Sequence, residues 1–241
     1  MLRSMLLIVA TAAVSSAGTI EDHQADSRYV EYAEGFAPYT ARLRATAGER
    51  TTAVASATLI ADRWALTAAH VVHGAETVEV AGKKASLVIR HEGWSDEVYG
   101  RCDIALVRVD EPFGLDYYPP LSDGQEEAGD TVSIAGYGVT GRMSSGYTTT
   151  DDILRAGTQK IERFDNDLIV CKAARRSSPL EMCIAPGDSG GPLFARGRLA
   201  GVNSMTQAAR GPLRSRYGEE TCHTRVSLFR EWIARVMERH R

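Results

Sequence analysis

Three short stretches of the chain carry side chains that chemistry can use. The first is Gly187-Asp188-Ser189-Gly190-Gly191-Pro192. A serine hydroxyl is a weak nucleophile near neutral pH and needs a neighbouring base, and the oxyanion made by its attack needs preorganised N–H donors. Glycines on both sides of Ser189 let the backbone turn sharply and aim two N–H groups at one point. The second stretch is Leu66-Thr67-Ala68-Ala69-His70, an apolar run ending on an imidazole, the side chain whose ordinary titration range suits proton transfer near pH 7. The third, Asp103-Ile104-Ala105-Leu106-Val107, puts a carboxylate at the head of an apolar strand, where it can hold an imidazole in one tautomer and stabilise the imidazolium. Alone, each has a plainer explanation as a turn or a packed side chain. Together, in the order His, Asp, Ser, they point to nucleophilic catalysis.

The elements that must position these residues read mostly as strands. TAVASATLI, RWALTAA, TVEVAG, ASLVIRH, DIALVRV, DTVSIAGYG, PLFARG and LAGVNSM are short, rich in β-branched residues and separated by Gly, Asp or Pro turns. Glu111 to Asp130, with Pro112, Pro119, Pro120 and Gly124, reads as a linker between two strand-rich halves. One helix stands out in SLFREWIARVMERHR, where Leu228, Trp232, Ile233, Val236 and Met237 fall near one face and dock on a core.

Composition excludes several classes. With 28 basic against 31 acidic residues in 241, the net charge of −3 gives no electrostatic footprint for nucleic acid or an anionic membrane. Residues 1–17 read as a secretory signal peptide: Arg3 precedes the apolar run Met5 to Val14, and small residues follow up to Ala17. That run is half of the roughly 20 apolar residues a membrane span needs. Export to the extracellular or periplasmic space permits disulfides, and Cys102, Cys171, Cys183 and Cys222 allow three complete pairings. Cys171 with Cys183 closes a short loop and is the preferred pair; Cys102 with Cys222 follows by elimination. No close Cys pair exists for zinc, and His70, His73 and His91 make no convincing ligand set, so no metal and no cofactor are expected.

With these residues in view, the chain resembles the trypsin/chymotrypsin-like serine peptidases, from about Pro38 to the terminal helix. Matching segments are SATLIADRWALTAAH (56–70), DIALVRV (103–109), AGYG (135–138), the Cys171 and Cys183 pair, GDSGGPLF (187–194), LAGVNS (199–204) and HTRV before EWI. The resemblance implies an all-β fold of two packed six-stranded antiparallel β-barrels, about residues 36–118 and 126–226, with a C-terminal α-helix at about 227–240. It implies His70 as general base, Asp103 as its orienting partner, Ser189 as nucleophile, and the N–H groups of Gly187 and Ser189 as the oxyanion hole. Ser204 would help hold Asp103 and offer its carbonyl to a bound peptide. The implied activity is that of a secreted serine endopeptidase acting as a monomer on protein or peptide substrates.

Departures from the family pattern sharpen the expectations. The family's basic cleavage site followed by Ile-Val-Gly-Gly is absent, so Asp188 lacks its usual partner, which would be either a new N-terminus near Gly18, Thr19 or Ile20 or an internal cation. Only Ile184, Ala185, Pro186, Gly187 and Asp188 separate Cys183 from Ser189, which shortens the floor of the primary pocket. Cys183, Ile184 and Ala185 suggest an apolar floor, Pro186 is a further substrate-binding candidate, and Met205 and Thr206 replace the usual Trp-Gly wall. A non-basic P1 residue follows, unless Glu219 or Glu220 reaches in. Two other classes share this scaffold: a catalytically inactive binding module, which would not label at Ser189, and an esterase or acyltransferase, which would spare peptides.

Overall fold

A computed structural model describes residues 18–241 apart from 49, 99, 150, 209 and 210; the predicted leader, residues 1–17, lies outside the described residues. Among the described residues the first elements are a two-residue strand, β1 (Thr19–Ile20), and a helix, α1 (Asp26–Ala33). Six strands follow: β2 (Thr40–Ala47), β3 (Arg50–Ala61), β4 (Trp64–Thr67), β5 (Thr77–Val80), β6 (Lys83–Arg90) and β7 (Ala105–Val109). They close into a barrel in the order β2-β3-β4-β7-β6-β5, all pairs antiparallel.

After the linker, the chain adds β8 (Thr131–Gly136), β9 (Thr140–Arg142), β10 (Gly146–Thr149), β11 (Arg155–Asp165), β12 (Leu168–Lys172), β13 (Met182–Cys183), β14 (Pro192–Ala195), β15 (Arg198–Gln207) and β16 (Glu220–Arg225). Six of these close a second barrel in the order β11-β12-β16-β15-β14-β8, and the helix α2 (Arg230–Arg239) ends the chain. Closure removes sheet edges, and alternate side chains fill each interior. Leu43, Ala57, Leu66, Val80 and Leu106 pack inside the first barrel; Ile134, Ile161, Ile169 and Leu193 pack inside the second. The fold is the pair of six-stranded antiparallel barrels with a C-terminal helix.

The two ends of the chain cross over. Trp232 and Ile233 of α2 are buried with the first-barrel core, while Ile20 and Tyr29 from the N-terminal segment are buried with the second. Helix α1 was absent from the sequence expectation. It is fixed by Arg155 of β11, whose buried guanidinium takes the Asp26 carboxylate in a two-pronged grip at 2.7 and 2.8 Å and also meets Asp151. Leu228 does not share the apolar face of α2. It lies in a 3₁₀ turn, Val226–Phe229, whose three residues per turn rotate it out of the 3.6-residue pattern, and it is 56% exposed.

The expected disulfides are not formed: Cys102, Cys171, Cys183 and Cys222 are all free thiols. Loop length carries no information about which face a cysteine occupies. In the β12–β16 register Cys171 lies opposite Thr221 and Val170 opposite Cys222. Cys171 therefore faces the barrel core, and Cys222 packs outside with Val170 and Met205. Cys183 pairs with Thr19 of β1 and packs with Met143 and Ala173, in a different cluster from Cys171. Cys102 sits on a half-buried bend with its sulfur against Gly93. Burial pushes the Cys171 and Cys222 thiols up, the latter to about 12, so both stay protonated.

Candidate active site

His70 and Asp103 meet at the mouth of the first barrel. Strand β4 delivers His70 onto the 3₁₀ turn Ala69–Val72, and Asp103 immediately precedes the segment leading into β7, the strand beside β4. Asp103 Oδ2 lies 2.7 Å from His70 Nδ1, and Oδ1 accepts the His70 backbone N–H at 2.9 Å. The second hydrogen bond fixes where the ring begins, the first which way it turns. Burial pushes the Asp103 carboxyl up, but the hydrogen bonds and charge of His70, with the Ser204 hydroxyl, outweigh it and hold Asp103 below the usual carboxylate range. Its side chain is 3% exposed, whereas that of His70 is 43% exposed, leaving the other ring nitrogen available to the cleft.

Ser204 reaches this pair because β15 carries a bulge. Its pairing with β16 slips between Asn203, opposite His223, and Met205, opposite Cys222, so Ser204 is the extra residue. Its hydroxyl donates to Asp103 Oδ2 at 2.6 Å. Its carbonyl accepts the Ser189 hydroxyl at 3.3 Å.

Ser189 lies on the loop between β13 and β14, which the first barrel grips directly. Ser56 N–H donates to the Ser189 carbonyl at 2.9 Å, and the Ser56 hydroxyl donates to the Gly187 carbonyl at 2.9 Å. Gly187 has φ +97°, and Gly190 has φ +84° with its Cα so close to β3 that a Cβ would come within 2.2 Å of the Ser56 carbonyl. Among the described residues, the N–H groups of Gly187 and Ser189 have no backbone or side-chain acceptor, as a pair waiting for an oxyanion requires.

A cleft of about 340 Å³ opens beside Ser189 and His70. It gathers the expected Ile184, Ala185, Pro186, Ser204, Met205 and Thr206. Tyr147 on the short strand β10 and Leu213 and Ser215 on a loop also line it; none of the three stands in a motif that would single it out in the sequence. Neither candidate acid enters. Glu219 accepts the Arg214 and Ser215 N–H groups at 3.1 and 2.9 Å, and Glu220 is held by Arg163 at 2.6 and 2.9 Å. His73 packs on Trp94, and His91 packs on Phe229 and Trp232.

Asp188, next to Ser189 in the chain, is fully buried beneath the cleft. Its carboxylate accepts three backbone N–H groups, from Gly18 at 2.9 Å, Gly138 at 2.8 Å and Ala185 at 2.8 Å. Among the described residues, no Lys, Arg or His forms an ion pair with it. Burial is the largest influence and pushes its pKa up to about 7, against the three hydrogen bonds. Strand β1 brings Gly18 there by inserting between β13, antiparallel, and β9, parallel.

Known proteins resemble this chain over most of its length. The family model described as Trypsin matches residues 28–233. A chymotrypsin from Phaedon cochleariae is 29% identical over 232 residues, covering 81% of this chain and 76% of that protein. Trypsin I-P1 from Gallus gallus is 27% identical over 260 residues, covering 96% and 98%. Among solved structures, neuropsin, a serine protease expressed in the limbic system of mouse brain, superposes with a TM-score of 0.64 at 21% identity, covering 83% of this chain and 94% of that one.

Proposed function

The chain belongs to the trypsin family of serine proteases, and from that premise we propose that it is an exported endopeptidase that cuts peptide bonds through Ser189, His70 and Asp103. The observation that carries this reading is the continuous array from Ser204 through Asp103 to His70, in the same cleft as Ser189 and two unengaged N–H groups. The Ser189 hydroxyl turns from the Ser204 carbonyl toward His70 and attacks the scissile carbonyl while His70 takes its proton. Asp103 keeps the imidazole in the tautomer with hydrogen on Nδ1 and stabilises the imidazolium. The Gly187 and Ser189 N–H groups receive the developing oxyanion. His70 then passes the proton to the leaving amine, and water activated by His70 releases the acyl group.

The substrate class follows from the cleft. Its lining is apolar around Ile184, Ala185, Met205 and Leu213, and both nearby carboxylates are engaged elsewhere. A P1 side chain such as Phe, Tyr, Leu or Met suits it; a lysine or arginine would lose its hydration with no counter-charge. Removal of residues 1–17 on export would place a free amino group on Gly18, at Asp188. The enzyme works as a monomer and needs no cofactor.

A fluorophosphonate probe tests the reading. It labels the wild type at Ser189 and leaves Ser189→Ala unlabelled, and a peptide mixture yields cut sites that the probe abolishes. A wild type that neither labels nor cuts would make the chain an inactive binding module.

A further inference from the structure

Behind the nucleophile loop, four polar side chains inside the second barrel form one chain. Gln159 of β11, Thr221 and His223 of β16, and Asn203 of β15 are all fully buried. Thr221 Oγ1 lies 2.6 Å from the end of the Gln159 amide and 3.0 Å from His223 Nε2. His223 Nδ1 lies 2.8 Å from Asn203 Oδ1. Asn203 Nδ2 donates to the carbonyls of Ala135 at 3.0 Å and Asp188 at 3.3 Å. The Asn203 main chain adds two more bonds, from its N–H to the Gly191 carbonyl at 2.8 Å and from the Gly190 N–H to its own carbonyl at 2.7 Å. Three of its contacts thus fall on residues 188–191, which bracket Ser189.

Counting hydrogens gives the chain a direction. The Asn203 amide nitrogen faces two carbonyls, so its oxygen faces His223, and His223 Nδ1 must carry the proton. His223 Nε2 is then an acceptor, and the donor within reach is the Thr221 hydroxyl. That single hydrogen being spent, the Gln159 atom against Thr221 must be the amide nitrogen, which also gives a partner to a buried Gln159 Nε2 that is otherwise orphaned. The order is Gln159 to Thr221 to His223, then His223 to Asn203 to the nucleophile loop. A neutral His223 is required, and burial lowers its pKa to about 3.

We propose that His223 and Asn203 are positioning residues for the reaction: through this one-directional chain His223 sets the Asn203 side chain on the Asp188 carbonyl, beside the bond from the Gly190 N–H to the Asn203 main-chain carbonyl, and so they fix Ser189 and the two N–H groups that receive the oxyanion. The proposal rests on the reading of Ser189 as nucleophile. A buried polar chain whose members hydrogen-bond one to the next rigidifies what it touches, and a small displacement of a catalytic group costs much rate.

The test compares His223→Leu with His223→Asn, whose amide nitrogen can take the place of Nδ1–H. Both are measured for kcat, KM and fluorophosphonate labelling rate at a temperature where circular dichroism shows each folded. His223→Leu is expected to lose about 10²-fold in kcat and in labelling rate with KM little changed, and His223→Asn to recover most of that loss. If His223→Leu does not fold, Thr221→Val, which removes only the hydroxyl, carries the same expectation of a fall in kcat without a rise in KM. Folded variants with wild-type kcat, or a loss confined to KM, would overturn the proposal while leaving Ser189 in place. A wild type that does not label would overturn the nucleophile and this role together.

Discussion

The main-chain nitrogen of Gly18 lies 2.9 Å from Oδ2 of the fully buried Asp188. In an uncut chain that nitrogen is an amide and brings no charge, and the carboxyl is left with a pKa raised from 3.8 to about 7. Cutting between Ala17 and Gly18 makes the same atom an ammonium. In the uncut chain the folded pKa exceeds the unfolded one, so burying the carboxylate costs nothing below about pH 4 and progressively more up to about pH 7. A chain beginning at Gly18 is therefore expected to be more stable than one extended at its N-terminus. The gap should grow with pH over that window to of order 4 kcal/mol, and Asp188→Asn should abolish it. Urea unfolding of both forms, each with and without Asp188→Asn, at pH 4, 5, 6 and 7 measures this. An equal gap at every pH would show that Gly18 and Asp188 are not linked.

Removing members of the Ser189, His70 and Asp103 array should act on kcat and not on KM. Asp103→Asn keeps the shape but favours the wrong tautomer of His70, and a fall of about 10⁴-fold is expected. Ser204→Ala removes one of three hydrogen bonds to the Asp103 carboxylate and should cost far less, because both bonds to His70 survive. Steady-state kinetics on a chromogenic peptide ranks the variants. A Ser204→Ala loss as deep as that of Asp103→Asn would contradict this order.

The apolar cleft predicts cleavage after Phe, Tyr, Leu or Met and little after Lys or Arg. Ile184 is the informative position, since it is buried in the lining of the cleft. Ile184→Asp should shift the preference toward basic P1 residues by supplying the missing counter-charge. Profiling of cut sites in a peptide library decides, and a wild-type profile dominated by Arg would refute the assignment of the lining.

The free thiols predict indifference to reductant. Alkylation of the denatured protein without prior reduction should modify all four cysteines, and the folded protein should react at the half-buried Cys102 ahead of the three buried ones. Dithiothreitol should leave the melting temperature unchanged. Intact-mass spectrometry reads the count, and two or four blocked cysteines would mean that bridges form after all.

Much of this was legible in the sequence because the demands were local. Strands such as β7 and β15 announce themselves as apolar runs, and Ser189 and His70 sit in short motifs whose residue types the chemistry requires. Strand β11, Arg-Ala-Gly-Thr-Gln-Lys-Ile-Glu-Arg-Phe-Asp, was hidden because Arg155 and Gln159 are buried in it, and their partners Asp26 and Thr221 are far away in the chain. Helix α1 was hidden because its eight residues bury only Tyr29 and Ala33 fully, with Tyr32 half-buried beside them, too short a stripe to show as a period. The bulge that turns Ser204 toward Asp103 is a property of register between two strands, and so is the face on which each cysteine falls. Neither can be read from one strand alone.

The depressed pKa of His223 also makes a prediction about acid stability. Its folded value of about 3 lies below the ordinary 6.5, so the unfolded chain takes up a proton below about pH 6.5 that the folded barrel refuses. The stability this neutral imidazole contributes is present above pH 6.5 and drains away as pH falls, by up to about 1.4 kcal/mol per pH unit. Lowered Asp103 adds to the acid loss in the same direction, but it does so in both proteins being compared. The difference between wild type and His223→Asn therefore isolates the histidine. Denaturant unfolding from pH 7 to pH 4 should show the wild type losing its advantage steadily below pH 6.5 while the variant lacks that slope. Parallel curves would mean that His223 takes up a proton in the folded state, which leaves its Nε2 a donor and breaks the direction of the chain from Gln159 to the Ser189 loop.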